Sequence, residues 1–236
     1  VAGNLEHLRQ TQSRTDRAVT IRAWSDRRLI WTIVALAALL RVPMAFVELF
    51  HHPDEVWQYL EPAYGMVTGR SVVTWEYREG MRSWLMPDLL ALPIWLGKTI
   101  APAGQLYLPL ARLVAVAASL VMVGFGAAIA LRISRVHAIV VGLVLATAFE
   151  LVYFSARTLS ETFAAALILP AAWLLLPHQR RNARRILLAG LLLGLAESAR
   201  FQMAPALFLL ALSCCRLDLR DWGLLVVGGL VGLGID

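Results

Sequence analysis

Long apolar stretches, separated by short polar groups, make up most of this chain. The stretches run over 29–50, 84–100, 106–131, 136–154, 159–177, 186–201, 203–215 and 222–235. Several approach or exceed the roughly 20 residues that a helix needs to cross a bilayer. The pattern predicts an all-α, polytopic membrane protein built as a bundle of transmembrane helices.

Composition agrees with that reading. The chain is 59% hydrophobic and only 16% charged, more apolar surface than a soluble domain of this length can hide. Length rules for counting soluble domains therefore do not apply. The net charge of +6 does not point to nucleic acid, because the arginines cluster between apolar runs as they do in cytoplasmic loops. A lipid bilayer is the expected partner and nucleic acid is not. Cys214 and Cys215 are adjacent and too few for a disulfide framework, so they read as small apolar residues at a membrane edge. The polar segment before Leu29 is too long for the n-region of a signal peptide, so no cleavable signal is expected. A start at Val1 and a stop inside an apolar run at Asp236 predict a piece of a longer chain.

Charge sorts the segments. The basic clusters are Arg9 to Arg28, Arg132/Arg135, Arg180/Arg181/Arg184/Arg185 and Arg216/Arg220. All four fall on the cytoplasmic side only if 84–100 does not span. That stretch is short, carries Asp88, is interrupted by Pro87 and Pro93, and offers Trp84 and Trp95 to the interface. It is expected to lie on or dip into the outer surface, leaving about seven spanning segments. A tilted span is the competing reading. The domain organisation follows: 1–28 as a cytoplasmic basic segment and 29–236 as an incomplete transmembrane domain, with 51–105 as a large outer catalytic loop. The outer face then also receives Ser155 to Glu161, the Glu197 to Gln202 turn and Asp236.

The polar groups on that face carry the candidate chemistry. After Phe50 come His51, His52, Pro53, Asp54 and Glu55. Pro53 suits a first helical position and the acids suit a first turn. A surface helix over roughly 53 to 64 is expected, with stops at Gly65 and Gly69. Asp54 and Glu55 either complement the helix dipole or supply a general base to a substrate approaching along the membrane. His51 and His52 alone are a weak metal set, and neither metal nor cofactor is expected. Thr74-Trp75-Glu76-Tyr77 and Met81-Arg82-Ser83-Trp84 mix aromatics with charge, as sugar sites do and as membrane anchors do. Arg82 can grip a phosphate through its planar fork or pair with Glu76 or Glu79. In Arg157-Thr158-Leu159-Ser160-Glu161, Ser160 is a possible N-cap, and Arg157 can pair with Glu161 four residues on or with Glu150 in the apolar run before it. Arg200 is either an anion site or the partner of Glu197.

In this order the patches resemble glycosyltransferase family 22, the mannosyltransferases of dolichol-linked oligosaccharide and glycosylphosphatidylinositol assembly. The matching residues are His52-Pro53-Asp54-Glu55 with Gln58 and Glu61, Thr74-Trp75-Glu76-Tyr77, Arg82-Ser83 with Pro87, Arg157-Thr158-Leu159-Ser160, and Arg200-Phe201, over about 29–236. Glu161 departs from the pattern, standing where many members have Asn. The resemblance implies a GT-C fold with its site in outer loops, a polyprenyl-phosphate sugar donor, usually mannose, a glycan or glycolipid acceptor, and inversion at the anomeric carbon. It makes Asp54 the base, with Glu55 as the alternate. His52, Gln58, Trp75, Glu76, Arg82, Arg157, Ser160 and Arg200 become substrate-binding candidates, and no metal is required. The Arg-rich, Lys-poor composition looks bacterial, which implies an inner-membrane protein with its site on the periplasmic face. A transporter or flippase of a lipid-linked sugar is the alternative function.

Overall fold

The structure is a computed structural model that describes residues 25–50, 52–176, 182–215 and 218–235. Arg9 to Arg22, His51, Arg180, Arg181, Arg216 and Asp236, named above, lie outside the described residues. Among the described residues every regular element is helical and none is a strand. Two helices are long and apolar enough to cross a membrane: α1, Ser25–Phe46, and α5, Tyr107–Leu131. Arg135–Thr147 (α6) and Ser160–Leu175 (α8) are shorter apolar helices. The remaining elements are α2 (a π turn over Glu55–Leu60 running into Glu61–Thr68), α3 (Trp75–Arg78), α4 (Leu85–Ile100), α7 (Phe149–Phe154), α9 (Ala183–Ala199), α10 (Ala204–Cys215) and α11 (Leu219–Leu233).

Several expected boundaries shift for local reasons. The first apolar run is not helical throughout. Pro43 tightens its last turn, Val42–Phe46, into a 3-10 turn, and residues 47–50 leave the helix, with Val47 extended. Pro lacks the N–H that an α turn would use. The 136–154 run breaks at Ala148, whose ψ of 127° ends α6 before α7 begins. The surface helix passes Gly65 and stops at Gly69, which takes the left-handed conformation at φ 71°. The 84–100 stretch forms the 16-residue α4, which packs on α2 and α5.

Burial explains the packing. Tyr59, Leu60 and Ala63 of α2 bury against Met86, Leu90 and Ile94 of α4, and against Leu108, Ala111 and Ala115 of α5. That core seats α2 across the end of the bundle. A second core joins α8, α9, α10 and α11 through Ala171, Ala189, Leu193, Leu207 and Leu225. Within it α9 and α11 touch backbone to backbone. A Cβ added at Gly194 would sit 2.1 Å from the Gly229 carbonyl oxygen, and one at Gly228 would sit 2.2 Å from that of Leu187. Small residues at this spacing let helices approach closely where no water is present to drive association.

The bundle has two chemically different ends. Arg135 pairs with Asp26 at 2.9 Å at the start of α1, and Arg132 donates to the Trp173 carbonyl at 3.2 Å near the end of α8. At the opposite end lie α2, the start of α8 and the end of α9. Among the described residues, Arg132 and Arg135 thus lie at one end, and Asp54, Glu161 and Glu197 at the other.

Candidate functional site

Helix α2 decides what its two acids do. Consecutive helical side chains point in different directions, so Asp54 and Glu55 face different surroundings. The Glu55 side chain is fully buried, 3.6 Å from Arg112 and 3.9 Å from Arg157, which are themselves 1% and 0% exposed. Arg112 also donates to the Val47 and Leu49 carbonyls, the latter at 2.8 Å, and Arg157 donates to Leu49. The non-helical 47–50 strap is thereby tied to α2, α5 and the 155–160 turn. The Thr158 hydroxyl donates to the Glu55 carbonyl at 3.4 Å. Asp54 instead keeps 42% of its side chain exposed, and neither acid caps the helix through its side chain. His52 Nδ1 accepts the Asp54 N–H at 3.2 Å and lies 3.5 Å from its carboxylate.

The 71–84 loop is clamped onto α2. The Tyr77 hydroxyl donates to the Gln58 carbonyl at 2.5 Å, its ring lies 4.6 Å from that of Trp84, and the Val72 N–H donates to Glu61 at 3.3 Å. Gln58 reaches Glu76 at 3.5 Å. The backbone N–H of its own residue, at the start of α3, holds the Glu76 carboxyl below its ordinary range, and the nearby Arg82 charge adds to this. Arg82 pairs with neither Glu76 nor Glu79. It donates to the Tyr59 hydroxyl at 3.1 Å. Among the described residues no carboxylate lies within ion-pair distance of it.

The other pairings expected from spacing also differ. Arg157 goes to Glu55 rather than to Glu161 or Glu150, and Glu150 is exposed at the start of α7. Glu161 takes Arg200 at 2.7 Å, which leaves Glu197 without that partner. Ser160 is not the N-cap of α8. Leu159 occupies that position, and the Ser160 hydroxyl accepts from Arg200 at 3.1 Å.

A cleft of about 720 Å³ opens where these segments meet. It is lined by His52, Asp54, Tyr59, Arg82, Ser83, Ser160, Glu161, Glu197, Ser198, Arg200 and Phe201, among others. Its volume falls in the ordinary range for small-molecule sites. Of the sequence candidates, Asp54, His52, Arg82, Ser160 and Arg200 come together here. Glu55, Gln58, Trp75, Glu76 and Arg157 do not line the cleft. Glu55 and Arg157 are internal, Gln58 and Glu76 brace the loop against α2, and Trp75 is 60% exposed elsewhere on the surface. Sequence reasoning missed Arg112 and Arg41, both buried. A charge inside an apolar run was the available signal, since such residues need a partner or a purpose.

A family profile described as the Alg9-like mannosyltransferase family matches residues 31–221. Among curated proteins, the chain is 39% identical to a GPI mannosyltransferase 3 of Trypanosoma brucei brucei over 71 residues, 30% of this chain and 13% of that protein. It is 38% identical to a GPI mannosyltransferase 3 of Yarrowia lipolytica over 100 residues, 42% of this chain and 18% of that protein. It is 42% identical to a GPI alpha-1,2-mannosyltransferase 3 of Danio rerio over 60 residues, 25% of this chain and 10% of that protein. The chain thus spans less than a fifth of these relatives. They are eukaryotic, so the bacterial origin read from the arginine bias gains nothing from them. No solved structure matches the chain significantly.

Proposed function

Because the chain belongs to the Alg9-like mannosyltransferase family, we propose that it carries the catalytic cleft of a membrane α-mannosyltransferase. The enzyme moves mannose from a polyprenyl-phosphate donor to a glycan or glycolipid acceptor, with inversion. The relatives' names favour a glycolipid and an α linkage. The observation that carries the reading is the meeting of Asp54 with Arg82 in one cleft at the end of the bundle away from Arg132 and Arg135. That end is the extracytoplasmic one if the arginine-rich end faces the cytoplasm.

The chemistry follows from these groups. Asp54 is an accessible carboxylate and accepts the proton of the acceptor hydroxyl. The hydroxyl oxygen then bonds to the anomeric carbon as the bond from that carbon to the phosphate oxygen breaks. The lipid phosphate leaves with the electron pair. A phosphate dianion needs positive charge rather than a proton, and Arg82, with no carboxylate partner among the described residues, provides it. Arg200 is already neutralised by Glu161 and contributes less. Glu55, closed off between two arginines, holds the strap and α2 in place rather than taking the proton.

The test uses the full-length protein in membranes with labelled polyprenyl-phosphate mannose. Asp54→Ala is expected to lower transfer by about 100-fold or more while leaving expression and membrane insertion normal. Substantial transfer by that variant refutes Asp54 as the base. Label that crosses the membrane unchanged, with no product, identifies a flippase instead.

A further inference from the structure

Glu197 is the third carboxylate lining the cleft, after Asp54 and Glu161, and the one that nothing above employs. It sits in the last turn of α9, where close packing of α9 on α11 fixes the backbone. The arginine three residues on is committed to Glu161 and Ser160. Glu197 Oε2 is buried and has no hydrogen-bond partner among the described residues. A desolvated carboxylate oxygen without a protein donor is costly, so its donor comes from within the cleft, a water or a ligand hydroxyl. Beside it the Ser83 and Ser198 hydroxyls lie 2.9 Å apart, bridging the 71–84 loop to the end of α9. Phe201, 64% exposed, presents an apolar face at the same cleft.

We infer that Glu197, the Ser83–Ser198 pair and Phe201 form a subsite that reads the hydroxyls of a pyranose ring. The inference rests on the glycosyl-transfer reading and adds to it. A carboxylate repels phosphate and accepts from O–H. The serine hydroxyls both donate and accept. The phenyl face covers the C–H side of the ring. A sugar satisfies all three, whereas the lipid phosphate belongs on the Arg82 side. The ring is that of either the donor mannose or the terminal acceptor sugar.

The decisive measurement compares full-length wild type, Glu197→Gln and Glu197→Ala with two series of mono-deoxy substrates. One series modifies the mannosyl donor and the other the acceptor sugar. The expected result is a KM about tenfold higher or more for one substrate only. Discrimination against one mono-deoxy form of that substrate should also be lost, and the pH profile of kcat should be unchanged. The series that responds identifies the ring. Unchanged KM and discrimination for both substrates overturn the subsite. So does loss of the acid limb of the pH profile, which makes Glu197 the base. Saturation-transfer NMR with methyl α-mannopyranoside reads the subsite without turnover. Signal in wild type that Glu197→Ala removes supports it, and equal signal in both, or none in wild type, counts against it. Wild type that binds the sugar but transfers none sinks the mannosyltransferase reading and leaves the subsite standing.

Discussion

Replacing Glu55 by Gln tests whether the buried acid is structural and Asp54 the one that reacts. The change removes the carboxylate between Arg112 and Arg157, all three side chains being at most 1% exposed. Two guanidinium groups are then left buried with no counter-charge between them. Breaking a buried pair in this way costs about 3–5 kcal/mol. The lower end applies, because Arg112 and Arg157 keep their bonds to the Val47 and Leu49 carbonyls and the Gln oxygen still accepts one bond. A loss of about 3 kcal/mol in a chain of this size lowers the midpoint of thermal unfolding by about 6–12 °C. Asp54→Asn, at a side chain that is 42% exposed, should move the midpoint by only about 1–2 °C. Transfer should respond the other way. Asp54→Asn removes the proposed proton acceptor and should abolish transfer, whereas Glu55→Gln should retain partial transfer below its melting point. The assay pairs a thermal melt of the detergent-solubilised full-length protein with label transfer at a temperature where both variants are folded. Unchanged melting with abolished transfer for Glu55→Gln would mean that Glu55, not Asp54, faces the chemistry, and would refute the reasoning.

The cleft and its supports yield further expectations. Arg82→Ala should raise the donor KM about tenfold or more while leaving the acceptor KM unchanged, and Arg82→Lys should recover only part of it, since a point charge replaces a fork; an equal effect on both substrates counts against a phosphate role. Gly194→Val should force α9 and α11 apart, because even its Cβ would meet the Gly229 carbonyl oxygen at 2.1 Å; the expected loss is about 1–3 kcal/mol or more, read by thermal melting, and a wild-type melt contradicts the close approach. The Glu76 carboxyl is held below its ordinary value in the fold, so its stabilisation of the 71–84 loop is fully present above the ordinary carboxylate pKa. It is lost as pH falls through the lowered value. Tryptophan fluorescence, with Trp84 against Tyr77, should report that acid transition, and Glu76→Gln should remove it; a transition that persists in the variant assigns it to another group.

Much of the site was legible in the chain. Asp54 and Arg82 sit in the large loop after the first apolar run, Ser160 and Arg200 in short polar breaks between runs, and charge sorting assigned all of them to one face. They could be read because each break must return to a membrane surface. The ion pairs could not be read so. Spacing of three or four residues nominates Arg157 with Glu161 and Glu197 with Arg200, but both pairs dissolve in the fold. Ser155, Ala156 and Arg157 form a turn rather than a helix continuing into α8, so the i,i+4 geometry never forms. Arg200 follows the last residue of α9 in an extended conformation, φ −157°, which carries its guanidinium to Glu161 instead.

Apolar periodicity and the placement of arginines determined by themselves that this chain is a helical bundle with an acidic, aromatic end and a basic end. Those properties follow from local composition and the cost of placing charge in a bilayer. Only the tertiary structure gave Asp54 and Glu55 different surroundings, the first lining the cleft and the second buried. They are adjacent in sequence and alike in chemistry. What separates them is the docking of α2 on α4 and α5, which turns Glu55 toward Arg112 and Arg157 and leaves Asp54 facing the cleft. The extended turn after α9 takes Arg200 to Glu161 and leaves Glu197, weighed from sequence only as a partner for Arg200, with a buried oxygen that has no hydrogen-bond partner among the described residues.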